Sequence, residues 1–356
     1  MNGMITEMTG GTSSMLYIRA DANSQIGTGH IMRCMAIANE FRRQGQDAVF
    51  IVADDQSAQY LEGQSFQYIC LNTVWNDLNS EIELLINYVK QYNIDKILID
   101  TYFVSKDYLN KLNVYTKTIY IDDIADFVYP VHMLINYNIY YYTKCYEDRY
   151  RGLSTKLLLG CEYAPLRGEF AGISHLFSES VSKVFVTTGG TDNYNVAGNL
   201  LGFLNKQDSV LSGLQYHVIV GKYNFNKTQL EQLSDHYENI VLHYDVTNMS
   251  EIMLNCDIAI TAGGSTMYEL CACAVPMITY SIADNQIDGV LGFDRQGVAK
   301  YCGDIREREQ EVYCNIYRAI IEYQGDNQYR RQTAERMKRI VDGQGAYRLF
   351  IEMNKL

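Results

Sequence analysis

The sequence predicts an α/β protein built from two doubly wound parallel sheets, and three observations carry that expectation. Short apolar runs alternate with longer segments of helical periodicity along the chain. Several runs are continuously apolar, as strands covered on both faces by crossover helices must be. The pattern runs once to about residue 150 and then begins again, and 356 residues are enough for two domains of ordinary size. The expected organisation is a loose, polar, glycine-rich tail over 1–14, one domain over 15–150, and a second over 151–356. Two similar domains facing a cleft follow from the repeated pattern.

In order, Met15–Ile18 reads as the first strand, followed by a glycine turn and a helix to about Gly45 with Ile31, Cys34, Ala38 and Phe41 at helical spacing. Ala48–Ala53 and Phe66–Leu71 read as strands, and Ile82–Tyr92 as an amphipathic helix with Ile82, Leu85, Ile86 and Val89 on one side. Lys96–Asp100 and Thr118–Ile121 are strand-like. The tyrosine-rich, irregular segment 138–156 is the expected linker between domains. The second series has strands at Lys183–Thr187, Tyr216–Val220, Ile240–His243, Asp257–Thr261 and Val275–Tyr280. Helices follow near Asn195, after AGGSTMYEL, over Val312–Tyr323 and Asn327–Val341, and after DGQGAYR.

Composition excludes several classes of function. Lys+Arg of 30 against Asp+Glu of 42 leaves a net charge of -12, which argues against a general binder of nucleic acid or membrane surfaces. Nine cysteines without a C-x-x-C pair fit neither a zinc site nor a disulfide framework, so a reducing cytoplasm is expected. No signal peptide is visible, and no stretch approaches the roughly 20 apolar residues of a membrane span. Membrane insertion is therefore not expected. The sequence leaves the oligomeric state open.

The motifs lie at predicted strand ends, the edge that faces the ligand crevice in such sheets. RADANSQIGTGHIMR delivers Gly27, Gly29 and His30 onto a helix start, where a backbone approaches an anion closely. His30 and Arg33 are three residues apart and share a helix face. The stretch reads as a catalytic loop, with an ordinary glycine turn as the alternative. Asp100, Asp122 and Asp123 also fall at strand ends. In the second series, Gly189 and Gly190 precede Thr191 and Asp192, and Gly263 and Gly264 precede Ser265 and Thr266. Such turns aim helix-start amides at a phosphate, and the two hydroxyls add donors. Glu269, four residues past Ser265, is placed to accept a ribose diol; the alternative is a helix capped by Ser265 with a surface glutamate. Asn285 and Gln286, in ADNQ, can face sugar hydroxyls or amides, or form a plain polar helix start.

IDTY, IDDIAD, LLLGCEYAPLRGEF and TTGGTDN complete an ordered set that begins with RADANSQIGTGHIMR and ends with AGGSTMYEL, ADNQ and DGQGAYR. Together these segments resemble the UDP-sugar hydrolases of pseudaminic acid biosynthesis. That family is similar in fold to the two-domain GT-B glycosyltransferases, whose halves are Rossmann-like. The resemblance implies cleavage of UDP from a diacetamido-trideoxy hexose, with water attacking the anomeric carbon, inversion, and neither metal nor cofactor. It implies His30 as the catalytic histidine and Tyr102 as the tyrosine beside the site. The nucleotide loops fall on Gly189, Gly190, Gly263, Gly264, Ser265, Thr266 and Glu269. Asp21 is a candidate to orient the imidazole through its second nitrogen, or else a turn former. Arg19 and Arg33 are candidates to offset phosphate charge. A metal-dependent site on Asp122 and Asp123, a transferase with the same architecture and a UDP-sugar-binding scaffold are the competing readings. Two positions depart from the family pattern: Thr101 stands where D-H-Y has histidine, and Gly168 where L-R-P-E-F has proline.

Overall fold

A computed structural model describes residues 15–173, 175–207, 211 and 213–356; the tail expected over 1–14 lies outside them. The chain divides into two compact units: residues up to Gly168 together with Gln344–Leu356, and Glu169–Gly343.

The first unit runs β1 (Leu16–Ala20), α1 (Gly29–Arg43), β2 (Ala48–Val52), α2 (Asp55–Glu62), β3 (Gln67–Cys70), α3 (Leu78–Gln91) and β4 (Lys96–Asp100). It continues with α4 (Lys106–Leu112), β5 (Lys117–Ile121), β6 (Met133–Asn136), the single turn α5 (Tyr146–Arg149) and β7 (Lys156–Leu159). Its seven strands lie in the order β3-β2-β1-β4-β5-β6-β7, paired in parallel. β1, β2 and β4 are buried along their whole length. One face packs on Ile31, Cys34, Ala38 and Phe41 of α1, and the other on Leu85, Ile86, Val89, Tyr108 and Leu109 of α3 and α4.

The second unit contains β8 (Lys183–Thr187), α6 (Val196–Leu204), β9 (Gln215–Ile219), α7 (Lys227–His236), β10 (Ile240–His243) and α8 (Met249–Leu254). Then come β11 (Ile258–Ala262), α9 (Thr266–Cys273), β12 (Met277–Ser281), α10 (Ile287–Arg295), β13 (Ala299–Asp304), α11 (Ile305–Gly325) and α12 (Asn327–Ile340). Its six strands lie in the parallel order β10-β9-β8-β11-β12-β13. Both sheets are doubly wound, as the strand pattern requires.

The expected boundary at 150/151 is corrected by two elements. β7 extends the first sheet by pairing with β6, Leu134 opposite Leu157. The last helix, α13 (Gly345–Met353), returns to the first unit, where Phe350 meets Phe41 edge-on at 5.0 Å. The tyrosine-rich segment is therefore no linker. Its tyrosines tie loops inside the first unit: Tyr146 donates to Asp122 Oδ2 at 2.6 Å, and the Tyr150 hydroxyl accepts from the Tyr129 N–H at 2.7 Å.

Strand order sets where chemistry collects. In the first sheet the chain lays β2 and β3 on one side of β1, then crosses to β4 on the other. In the second, β8 and β11 flank the same kind of reversal. The crevice beyond the strand ends at such a reversal is the ligand site of open α/β sheets. The end of β4 carries Asp100 and the helix that follows the β1 loop starts with His30 in its first turn, while the loops after β8 and β11 carry the two glycine pairs.

Candidate active site

The loop after β1 is shaped by Asn23, whose side-chain oxygen accepts from the N–H groups of Gln25 at 2.8 Å and Ile26 at 3.0 Å. Gly27 closes the turn through its N–H to Asn23 O at 2.9 Å. A Cβ on Gly27 or Gly29 would meet open space, so no packing demand accounts for either glycine. His30 enters in the first turn of α1 with its side chain 7% exposed. Its Nδ1 lies 2.7 Å from Asp100 Oδ1, and the Tyr102 ring meets it edge-on at 4.5 Å between centroids. β1 and β4 are in register with Ala20 opposite Asp100, which brings the two loops together. Asp100 carries no proton to donate, so Nδ1 is the donor in this pair, and in the neutral imidazole the lone pair falls on Nε2. Nε2 has no hydrogen-bond partner among the described residues.

Arg33, one turn along α1, grips Asp100 at both oxygens, Nε to Oδ2 and Nη2 to Oδ1, each at 2.6 Å. Its Nη1 donates to Asp123 Oδ2 at 2.8 Å and to the Tyr137 hydroxyl at 3.0 Å. Asp123 also accepts from the Tyr102 hydroxyl at 3.2 Å and from Asn138 Nδ2 at 2.8 Å. Burial alone would raise the Asp100 pKa, but the Arg33 guanidinium and then His30 bring it below the usual carboxylate range. Burial likewise opposes charge on Arg33, yet Asp100 and Asp123 hold it well above its ordinary value. Burial, followed by Asp123, pushes the Tyr102 phenol up.

Three expectations from the sequence are corrected here. Asp21 does not orient His30: its oxygens accept from Arg19, the Ala53 N–H at 2.7 Å and Ser57 Oγ at 3.3 Å. Arg19 faces no ligand: it is 0% exposed and holds Glu81 bidentately at 2.8 and 2.9 Å. Asp122 is buried as a turn former, accepting from the Ile124 and Ala125 N–H groups at 2.9 and 3.0 Å. Asp100, seen in the sequence only as a strand-end aspartate, is the carboxylate at the imidazole. Tyr137 and Asn138 gave no sequence signal; they follow β6, a strand the apolar pattern missed. Among the described residues no group of three His, Cys, Asp or Glu could hold a metal ion.

In the second unit, Thr187 and Thr261 are register partners on β8 and β11, so the two glycine pairs leave neighbouring strands. Open space surrounds a Cβ at Gly189, Gly190 or Gly264. Gly263 differs, since a Cβ there would meet Val290 Cγ1 at 2.7 Å and Gln286 Cβ at 2.9 Å; its glycine lets α10 pack closely. Gly221 is a residue that sequence reasoning missed. A Cβ there would strike the carbonyl oxygens of Gly189 and Gly190, each at 2.5 Å, so the loop after β9 braces that turn. Asp192 is buried and accepts from the Val196 and Ala197 N–H groups at 2.7 and 3.1 Å, capping α6. Ser265 is exposed at the start of α9 and makes no side-chain capping bond, contrary to the capped-helix alternative. Thr266 and Glu269 are half-buried along the first turn of that helix. Gln286 turns its side-chain oxygen to the Ile282 N–H at 2.9 Å, bracing its own loop, while Asn285 is exposed.

Two doubly wound parallel sheets, each with its loops gathered at a strand-order reversal, define the GT-B class of fold. MurG of Acinetobacter baumannii superimposes with a TM-score of 0.69 at 11% identity, covering 96% of this chain and 100% of that one. The pneumococcal O-GlcNAc transferase GtfA, solved with UDP and GlcNAc, gives 0.61 at 9% identity, covering 97% of this chain and 99% of its own. Within that class, residues 184–342 match the family model described as the glycosyltransferase family 28 C-terminal domain. The chain is also similar to the UDP-2,4-diacetamido-2,4,6-trideoxy-beta-L-altropyranose hydrolase of Campylobacter jejuni, 28% identical over 260 residues, 71% of this chain and 86% of that enzyme. An uncharacterized protein of Methanocaldococcus jannaschii is 24% identical over 276 residues, 74% of this chain but 54% of its own length. The chain thus spans about half of that archaeal relative. The resemblance to a UDP-sugar hydrolase, carried in the sequence by short motifs, thus extends over 71% of the chain.

Proposed function

We propose that this protein hydrolyses a UDP-linked diacetamido-trideoxy hexose, the reaction carried in the name of the Campylobacter relative, in the route to pseudaminic acid. The observation that carries the reading is the imidazole of His30, held through Nδ1 by Asp100 at 2.7 Å with Nε2 left as a base. The pyrophosphate of UDP binds at the glycine turns around Gly189–Gly190 and Gly263–Thr266, and its ribose diol binds Glu269. Nε2 takes a proton from water as the water oxygen bonds to the anomeric carbon. The bond from that carbon to the β-phosphate oxygen breaks on the opposite face, so the configuration inverts and UDP leaves with the electron pair. Helix-start amides offset the charge that develops on the diphosphate. The Tyr102 ring seats the imidazole, and its hydroxyl is turned to Asp123.

The deciding experiment incubates the protein with the UDP-sugar and no acceptor. Stoichiometric UDP release with an inverted free sugar, followed by proton NMR, is expected. Intact UDP-sugar that is consumed only when an acceptor is added would instead establish a transferase, the reading favoured by the family 28 match. Glu269→Ala is expected to weaken UDP binding more than it lowers turnover at saturation. Calorimetry returning wild-type UDP affinity would remove the ribose assignment.

A further inference from the structure

Arg33 was a candidate phosphate ligand in the sequence, and its surroundings give it a different task. All three guanidinium nitrogens are spent inside the first unit: Nε and Nη2 on Asp100, and Nη1 on Asp123 and Tyr137. The side chain is 12% exposed. Its Nη2 also lies 3.2 Å from His30 Nδ1, the nitrogen that Asp100 holds. Both groups are donors there, so the only attraction the ring receives through Nδ1 comes from the carboxylate. That carboxylate is already paired with a cation at both oxygens, and the Cys34 thiol donates to Oδ2 at 3.4 Å.

We propose that Arg33 is a positioning residue: it fixes Asp100 as an orienting acceptor for His30 while cancelling the charge that would otherwise trap a proton on the imidazole. The inference rests on His30 being the base of the hydrolysis. An aspartate alone would orient the ring and also stabilise the imidazolium, leaving less free base near neutral pH. Pairing that aspartate bidentately keeps the orientation and removes much of the second effect. Only arginine offers the planar fork this requires; lysine supplies the charge without the two parallel bonds. The charged and titratable groups against the ring are Asp100 and Tyr102, from β4 and the loop after it, and Arg33 from α1; one contact further out lie Cys34 on Asp100, Asp123 on Arg33 and Tyr102, and Tyr137 on Arg33.

The test pairs Arg33→Gln with Arg33→Lys. Arg33→Gln is expected to lower kcat at neutral pH by roughly tenfold or more, with the acid limb of the pH–rate profile displaced upward by roughly one unit. Arg33→Lys is expected to lose turnover with its acid limb close to wild type, since charge is kept and alignment is lost. UDP affinity by calorimetry stays at the wild-type value in both. A fall in UDP affinity that parallels the loss of kcat, with an unmoved pH profile, overturns the proposal in favour of a phosphate contact. Ring nitrogen-15 spectra of His30, assigned by loss of its signals in His30→Gln, give a readout independent of turnover. They are expected to show hydrogen on Nδ1 in the wild type and imidazolium persisting to higher pH in Arg33→Gln. Identical titrations in the two proteins overturn the proposal even if no UDP-sugar is hydrolysed, and wild-type protein inert toward UDP-sugars removes the hydrolase reading separately.

Discussion

His30→Ala is expected to lower kcat by roughly 10²–10⁴-fold, the range for loss of a positioned general base, with UDP affinity unchanged. The size follows from what surrounds the ring. Asp100 cannot take over, because Arg33, which remains in the variant, occupies both of its oxygens and is the larger of the two charges that lower its pKa. The Tyr102 phenol is pushed up by burial and by Asp123, so it is no base at neutral pH. Asp123 is shared between Arg33, Tyr102 and Asn138. Among the described residues none of these neighbours is both unpaired and basic, so the loss has no local substitute. Steady-state release of UDP, measured with binding of UDP itself, checks both halves of the expectation. Turnover near wild type would take the base assignment from His30.

Gly343→Ala is expected to destabilise the protein by about 3 kcal/mol or more, through steric overlap added to backbone strain. Gly343 has a φ of +77°, and a Cβ there would lie 2.0 Å from the carbonyl oxygen of Phe170. Two residues on, a Cβ at Gly345 would lie 2.1 Å from the carbonyl oxygen of Ala164. Neither obstacle is a side chain that can swing aside; each is main chain. These glycines occur where the chain leaves the second unit and re-enters the first to form α13. For a unit of this size a loss of about 3 kcal/mol lowers the midpoint of thermal unfolding by roughly 6–12 °C. Calorimetry on Gly343→Ala reads this directly, and a midpoint within about 2 °C of wild type would contradict the close approach to Phe170.

Much of the fold was legible because its signals are local. Continuous apolar runs marked ten of the thirteen strands among the described residues to within two residues or so, and glycine followed by a helix start marked the turns after β1, β8 and β11. The unmarked strands, β6, β7 and β13, sit at or beside a sheet edge. Polar and tyrosine-rich surroundings break their apolar runs, and pairing to a neighbour, which has no local signature, makes them strands. The charged residues show the same division. Arg19 and Arg33 looked alike as phosphate partners, but Arg19 lies on β1 and is carried by strand alternation into the core against Glu81. Arg33 lies on α1, one turn past His30, and emerges beside Asp100. Asp21 is nearer to His30 in sequence than Asp100 is, yet its oxygens point back to Arg19, Ala53 and Ser57.

By itself the sequence determined two wound α/β halves, a histidine delivered by a glycine turn onto a helix start, and paired glycines at two further strand ends. Each of these is written in a dozen neighbouring residues, through hydrophobic period and the steric freedom of glycine. Tertiary structure alone decided which carboxylate meets the imidazole, which arginine holds it, and that the last helix completes the first unit. Those outcomes hang on strand order and on contacts between residues as far apart as His30 and Asp100, seventy positions along the chain. Pairing energy between distant strands selects them, and no short window of sequence contains it.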